Sequence, residues 1–286
     1  SEHPYVEGFV VNELSRLGSN FRKNEDLNDY LVRNHIPGIQ GIDTRALTKL
    51  LRNDGCMNGM ITTHKYEVSE VIDKIKAFKV QGVVKACTCK EKHTVGTGRM
   101  KVALYDFGAK RNIANELAKR NCEVTVFPAT TPASEVLEGN FDGIMLSNGP
   151  GDPAEVTDII AEVKKLSESG MPIFAICLGH QLMALAHGFK TEKLKYGHHG
   201  ANHPVKDLDT NRVYISTQNH NYVIKDESID PAVAKAWFRN VNDGTIEGVE
   251  YLNKNIKTVQ FHPEANAGPR DTEYLFDEFI KMMEGK

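Results

Sequence analysis

The sequence predicts an α/β protein: an open, mainly parallel sheet with flanking helices in its C-terminal two thirds, preceded by a smaller α/β N-terminal domain. Two observations carry this. From about residue 100 onward, continuous apolar runs alternate with amphipathic stretches. Strands that are apolar throughout need helices on both faces, which a parallel sheet supplies. Gly- and Pro-rich turns or a lone reactive side chain directly follow those runs, and open parallel sheets place their sites there. With 286 residues, 40% of them apolar and 26% charged, the chain is long enough for one large or two moderate domains.

The elements follow in order. Tyr5 to Leu14 reads as a strand region. Asp43 or Thr44 can cap a short helix, Arg45 to Arg52, that ends before Gly55. Val68 to Phe78 carries apolar residues at helical spacing behind a candidate cap at Ser69. Residues 90–98 are polar, Gly-rich and aperiodic and read as a linker, giving domains at 1–97 and 98–286. Lys101 to Tyr105 is then expected as a strand, Ala109 to Lys119 as a helix and Cys122 to Phe127 as a second strand. Gly143 to Ser147 is a third, followed by a helix within 154–168, and Pro172 to Ile176 is a fourth. A helix from Gly179 to Ala186 follows it. Between about 189 and 262 the pattern suggests shorter β-like segments, ending in a strand from Lys257 to Phe261. Asp271 to Met283 is the expected closing amphipathic helix.

Composition narrows the function. A net charge of −3 without a long Lys/Arg run argues against nucleic acid as the main partner. No apolar stretch reaches the roughly 18 residues that span a bilayer, and no signal-peptide pattern opens the chain. Cys56, Cys87, Cys89, Cys122 and Cys177 are irregularly spaced, as in a reduced, cytoplasmic protein. Cys87-Thr88-Cys89 has no second pair to complete a metal ligand set.

The chemistry concentrates in three places. Cys177 follows the apolar run Phe174-Ala175-Ile176 and precedes Leu178-Gly179-His180-Gln181. A lone cysteine after a buried strand is ordinarily structural. Here Gly179 permits close backbone approach, and the pair His180-Gln181 is polar where a core helix would be apolar. A thiol on such a strand-to-helix turn is favoured as a thiolate by the helix amides, which also suit a developing oxyanion. Some 85 residues later, His262-Pro263-Glu264 offers an imidazole with a carboxylate two residues away. Alone it reads as a loop; with Cys177 it completes a nucleophile, base and orienter. The turn Ser147-Asn148-Gly149-Pro150-Gly151-Asp152-Pro153 could be only a tight connection. Its expected place beside Cys177 suggests that a Gly149 or Gly151 amide joins that of Leu178 in an oxyanion hole.

This set of motifs resembles the class I (triad) glutamine amidotransferases, on Asn148-Gly149-Pro150-Gly151-Asp152-Pro153, Cys177-Leu178-Gly179-His180-Gln181 and His262-Pro263-Glu264. More closely, the chain is similar to the small, glutamine-hydrolysing subunits of carbamoyl-phosphate synthases. That rests on residues 38–45 (Gly-Ile-Gln-Gly-Ile-Asp-Thr-Arg), 106–113 (Asp-Phe-Gly-Ala-Lys-Arg-Asn-Ile), 196–205 (Tyr-Gly-His-His-Gly-Ala-Asn-His-Pro-Val) and 264–272 (Glu-Ala-Asn-Ala-Gly-Pro-Arg-Asp-Thr). The resemblance implies hydrolysis of L-glutamine to glutamate and ammonia. It implies a large partner subunit that receives the ammonia through a tunnel and makes carbamoyl phosphate from bicarbonate and ATP, for arginine and pyrimidine synthesis. ATP and Mg2+ are then expected on the large partner, and this chain is expected to carry no cofactor. Carried over by position, Cys177, His262 and Glu264 form the triad, while Gly149, Gly151, Leu178, Gln181, Asn219, Asn221 and Tyr222 hold glutamine or its oxyanion.

Two departures concern the substrate side. The family's usual Gln-Asn-His-Gly-Phe stands here as Gln218-Asn219-His220-Asn221-Tyr222. Asn tolerates positive φ better than most residues, which would keep the shape of a lost glycine. The family's first several dozen residues, among them a serine that helps bind glutamine, have no counterpart, so the N-terminal domain is expected to be incomplete. His180, His198, His199, His203 and His220 match no common ligand spacing, and no carboxylate or thiolate cluster accompanies them, so no metal is expected. An amidotransferase serving another synthase, and a non-catalytic partner chain, stay open as alternatives; an intact Cys177 speaks against the second.

Overall fold

The computed structural model describes residues 4–21, 23–265 and 268–285, so Ser1 and the Asn266-Ala267 pair of the 264–272 string lie outside the described residues. The chain divides into two compact units, Ser1–Lys79 and Val80–Lys286. In the first, the expected strand region shrinks to β1 (Phe9–Val10), which is followed by α1 (Leu27–Arg33) and pairs in parallel with β2 (Gly38–Ile39) over two residues only. Next comes α2 (Thr44–Asp54), capped by Asp43, whose carboxylate accepts from the Ala46 amide at 2.9 Å. Then α3 (Val68–Ala77) starts ahead of Ser69. Glu67 is its cap, with its amide donating to Glu70 Oε2 at 3.3 Å, so Ser69 lies inside the first turn.

The second unit opens with α4 (Val83–Cys87), β3 (His93–Val95), β4 (Met100–Asp106), α5 (Arg111–Lys119), β5 (Cys122–Pro128), α6 (Ala133–Leu137) and β6 (Gly143–Leu146). It continues through α7 (Thr157–Ser167), β7 (Ile173–Ile176), α8 (Leu178–Ala186), β8 (Thr191–Asp207) and β9 (Val213–Ile224). It closes with β10 (Ala234–Asn240), β11 (Ile246–Tyr251), β12 (Ile256–Val259) and α9 (Tyr274–Glu284). One ten-stranded sheet runs in the order β3-β5-β4-β6-β7-β12-β11-β10-β8-β9. The block β5-β4-β6-β7-β12 is parallel; β3 at one edge and β11-β10-β8-β9 at the other are antiparallel.

Period-2 geometry explains why the parallel strands are apolar throughout. Ala103, Tyr105, Ile144, Leu146, Ile173 and Ala175 pack against α7 and α8. Their neighbours Val102, Leu104, Met145, Phe174 and Ile176 pack on the other face, where α5 and α9 present Ile113, Leu117, Phe276 and Phe279. Among the described residues no helix is long and apolar enough to cross a membrane.

Two expectations need correction. Residues 90–98 do not link two bodies, because β3 pairs with β5 and α4 buries Val84 in the core of the larger unit. The glycines serve close contact: a Cβ on Gly98 would lie 2.1 Å from the Asn121 carbonyl oxygen. The 189–262 region is not a set of short pieces, since β8 and β9 have 17 and 12 residues. Their register shifts between Lys193 and His198 and again between Gly200 and His203. Those irregularities break the alternation that marks a long strand.

Candidate active site

The site forms where neighbouring parallel strands end. Ile176 is in register with Val259, and the Cys177 amide donates to the Val259 carbonyl at 2.8 Å. Cys177 and His262 therefore leave the sheet from adjacent strand ends. Cys177 stands as the N-cap of α8 at φ 54°, ψ −104°. For a residue with a Cβ this backbone costs on the order of 1–3 kcal/mol. Surrounding bonds hold it there: its carbonyl accepts from the Gln181 amide at 3.1 Å, and the Gly179 amide donates to the Ser147 carbonyl at 3.0 Å. Gly179 is required at this crossing, because a Cβ would lie 2.6 Å from the Leu146 carbonyl oxygen.

His262 is anchored to β9 by its amide, which donates to the Thr217 carbonyl at 2.9 Å. Its Nδ1 donates to Glu264 Oε1 at 2.7 Å, and both side chains are buried. Burial alone would lower the basicity of His262, but the Glu264 carboxylate and the hydrogen-bonded Cys177 sulfur outweigh it and raise the imidazole to about 9. Burial works against the Glu264 carboxylate as well; the facing imidazole, its hydrogen bond and Lys110 bring the group down to about 2. The ring is thus joined to a carboxylate on one side and to the cysteine sulfur on the other, as a base that receives a thiol proton must be.

Sequence motifs alone do not disclose what holds Glu264. Lys110 Nζ lies 3.2 Å from Glu264 Oε1, and the Asn112 side chain donates to the Glu264 carbonyl. The Lys110 amide donates to Asn148 Oδ1 at 2.9 Å, and Asn148 Nδ2 donates to the Gly108 carbonyl at 3.1 Å. The string after β4 therefore ties the acidic member of the site to the turn after β6. Its composition is distinctive in the sequence, but its target lies 152 residues from Asn112 along the chain.

The candidate substrate residues are less uniform. Gly149 sits against Leu178, since its Cβ would fall 2.6 Å from Leu178 Cδ2, whereas Gly151 is exposed at φ 94° and faces Val83. The buried Gln181 amide group donates to the Tyr222 carbonyl at 2.7 Å and to Gln260 Oε1 at 2.8 Å, so it fastens α8 to β9. Asn219 is exposed, and its Oδ1 lies 2.9 Å from His199 Nδ1, whose Nε2 is 3.3 Å from Asn221 Oδ1. Asn221 is not among the residues at positive φ; it is an ordinary strand residue, so the glycine-like backbone expected of it is absent. Room for its side chain comes from Gly197, where a Cβ would lie 2.6 Å from Asn221 Oδ1. Tyr222 is half-buried, and burial, together with a hydrogen bond to Asp152, pushes its hydroxyl up to about 12.

Of the histidines, His180 is buried on Thr258 Oγ1 at 2.7 Å and, through burial, is lowered to about 3. His198 and His220 do meet a carboxylate, Glu247, with ligand atoms within 4.8 Å of one another. The expectation of no accompanying carboxylate fails because Glu247 arrives from β11, by sheet neighbourhood and not by sequence spacing.

Comparison with known proteins gives the family. Residues 103–282 match the family model for glutamine amidotransferase class-I, and residues 1–61 match that for the carbamoyl-phosphate synthase small chain, CPSase domain. The carbamoyl phosphate synthase small chain of Clostridium perfringens is 47% identical over 98% of this chain and 79% of its own length. That of Listeria monocytogenes is 45% identical over 100% of this chain and 79% of its own. Among solved structures, a GMP synthase subunit from Thermoplasma acidophilum superposes with a TM-score of 0.58 at 22% identity, covering 65% of this chain and 94% of that one, a likeness of fold. The chain belongs to the carbamoyl phosphate synthase small chain family and contains a class I glutamine amidotransferase domain.

Proposed function

We propose that Cys177, His262 and Glu264 hydrolyse L-glutamine in this glutaminase subunit of carbamoyl phosphate synthase. The thiolate of Cys177 attacks the side-chain amide carbon, and the carbonyl electrons move to oxygen. The oxyanion falls to the Leu178 amide, because the next amide, of Gly179, is already bonded to the Ser147 carbonyl, and to the Gly149 amide across the Leu178 contact. His262 delivers its proton to the leaving nitrogen, so that ammonia departs and a thioester on Cys177 remains. It then takes a proton from water, whose oxygen attacks the thioester and releases glutamate. Glu264, fixed by Lys110 and His262, keeps the imidazole oriented throughout. Asn219 is the candidate partner for the α-amino and carboxylate groups of glutamine, with Asn221, Tyr222 and Gly151 around it; Gln181 supports the wall through Tyr222.

The ammonia passes to the large subunit, where ATP and Mg2+ serve carbamoyl phosphate formation; the hydrolytic steps above draw on side chains and backbone amides alone. The observation that carries the reading is the single imidazole joined at once to Glu264 and to Cys177. A glutamine-like electrophile followed by peptide mass spectrometry tests it. A single adduct on Cys177, absent from Cys177→Ser, is expected; alkylation elsewhere, or none, overturns it. In the two-subunit enzyme the same variant should lose glutamine-dependent synthesis and keep ammonia-dependent synthesis.

A further inference from the structure

A second constellation lies away from Cys177, in the antiparallel half of the sheet. His198 on β8 is in register with His220 on β9, and their rings stand edge-on with centroids 4.9 Å apart. Glu247 enters from β11, and all three side chains are buried. The outward nitrogen of each ring is spent on an oxygen. His198 Nε2 lies 2.8 Å from Asp243 Oδ2, and His220 Nδ1 lies 2.9 Å from the Tyr222 carbonyl. A neutral ring that gives its proton to that oxygen keeps a lone pair on the inner nitrogen. Of the two inner nitrogens, His198 Nδ1 then faces Glu247 Oε1 and His220 Nε2 faces Gln218 Oε1, both as acceptors. Asn240 Nδ2 steadies the carboxylate, donating to Oε1 at 3.1 Å.

With both rings neutral and their protons on the outer nitrogens, this interior has acceptors in excess. Glu247 Oε2 and His198 Nδ1 are buried without a hydrogen bond. His198 Nδ1 is 3.3 Å from Glu247 Oε1, an ion-pair distance that lacks hydrogen-bond direction. Gln218 Oε1 sits 3.1 Å from His220 Nε2, a nitrogen with no proton left to give once Nδ1 has donated to Tyr222. Lone pairs that converge in a buried space are unfavourable until a cation comes between them. Outer protons donated to a carboxylate and to a carbonyl are also the arrangement that fixes metal-binding histidines.

We propose that His198 Nδ1, His220 Nε2 and the Glu247 carboxylate, with Gln218 Oε1 as fourth donor, bind a divalent cation of the zinc type. Two imidazoles select such a metal over Mg2+ or Ca2+, which prefer all-oxygen shells. Bonds of ~2.0–2.1 Å to a tetrahedral ion put neighbouring donors ~3.4 Å apart. The donor atoms of the two histidines and Glu247 now lie within 4.8 Å of one another, so binding draws them together by side-chain rotation. The site reaches the glutaminase pocket through one atom: the Tyr222 carbonyl accepts from both His220 and Gln181.

Equilibrium dialysis of Zn2+ against the full chain tests the proposal, in a Cys177→Ser background so that the site thiol does not compete. One Zn2+ per chain is expected, lost in His198→Gln and Glu247→Gln. Asp243→Asn, at a half-exposed carboxylate whose Oδ2 meets the outer nitrogen of His198 while its Oδ1 accepts from the Thr245 amide and hydroxyl, should weaken binding about 10–100-fold without removing a ligand, and it leaves the buried ligands in place. Co2+ should give tetrahedral visible absorption without a thiolate charge-transfer band. Stoichiometric binding unchanged in Glu247→Gln and Asp243→Asn, a thiolate band, or no binding by the parent would overturn the proposal; in the last case a shared proton, not a cation, balances Glu247.

Discussion

Nδ1 of His262 donates to Oε1 of Glu264 at 2.7 Å inside a fully buried pair, and each group moves the other's titration. His262 rises from 6.5 to about 9, so its stabilising contribution is complete below about pH 6.5 and is lost as pH climbs through 9. Glu264 falls from 4.5 to about 2, so its contribution is complete above about pH 4.5 and is lost as pH drops through 2. Together they leave a plateau between about pH 4.5 and 6.5. Glu264→Gln should lower unfolding free energy most within that window, on the order of a few kcal/mol, and least above pH 9. Urea unfolding of both proteins across pH reads this directly; a deficit that grows toward pH 10 would contradict the assignment.

His262→Asn keeps a hydrogen-bonding side chain but removes the proton carrier. Thioester formation should slow by about 10²–10⁴, the usual contribution of a positioned acid–base group. Quenched-flow trapping of the acyl-enzyme measures it. A wild-type rate would take His262 out of the mechanism.

Much of the site was legible because each chemical group sits beside its own structural signal. Cys177 follows an uninterrupted apolar strand and precedes a glycine that the α8–β6 crossing requires. What remained hidden depends on sheet neighbourhood. Lys110 and Asn112 meet Glu264, and His198 and His220 meet Glu247, only because one sheet gathers elements that are distant in sequence. Local pattern also misled where glycine served contact instead of flexibility, as at Gly98, and where bulges concealed the length of β8. Asn221 is instructive for a different reason: its neighbour Gly197 on the facing strand supplies the space, so no unusual backbone was needed at Asn221 itself.

Gly179→Ala tests the crossing. Its methyl group would stand 2.6 Å from the Leu146 carbonyl oxygen, and a backbone atom cannot rotate away. Overpacking of this kind typically costs about 1–3 kcal/mol. Because α8 carries the Cys177 turn, the variant should also lose glutaminase activity. Chemical denaturation and a glutamate-release assay check both parts; full stability would show that α8 can shift at no cost.

The backbone of Cys177 permits a sharper test, because strain and chemistry reside in one residue. At φ 54°, ψ −104°, a Cβ is unfavourable and glycine is not. Cys177→Ala and Cys177→Gly both remove the sulfur and should abolish hydrolysis, so activity does not separate them. Stability does. On ordinary backbone within regular structure, glycine is the less stable of the two by roughly 0.5–1 kcal/mol. Here the order should reverse, with the glycine variant more stable by about 1–2 kcal/mol, the strain it releases being only partly offset by its greater freedom in the unfolded chain. Paired urea melts decide the point. If alanine proves the more stable, the turn is relaxed, and the placement of the nucleophile owes nothing to stored strain.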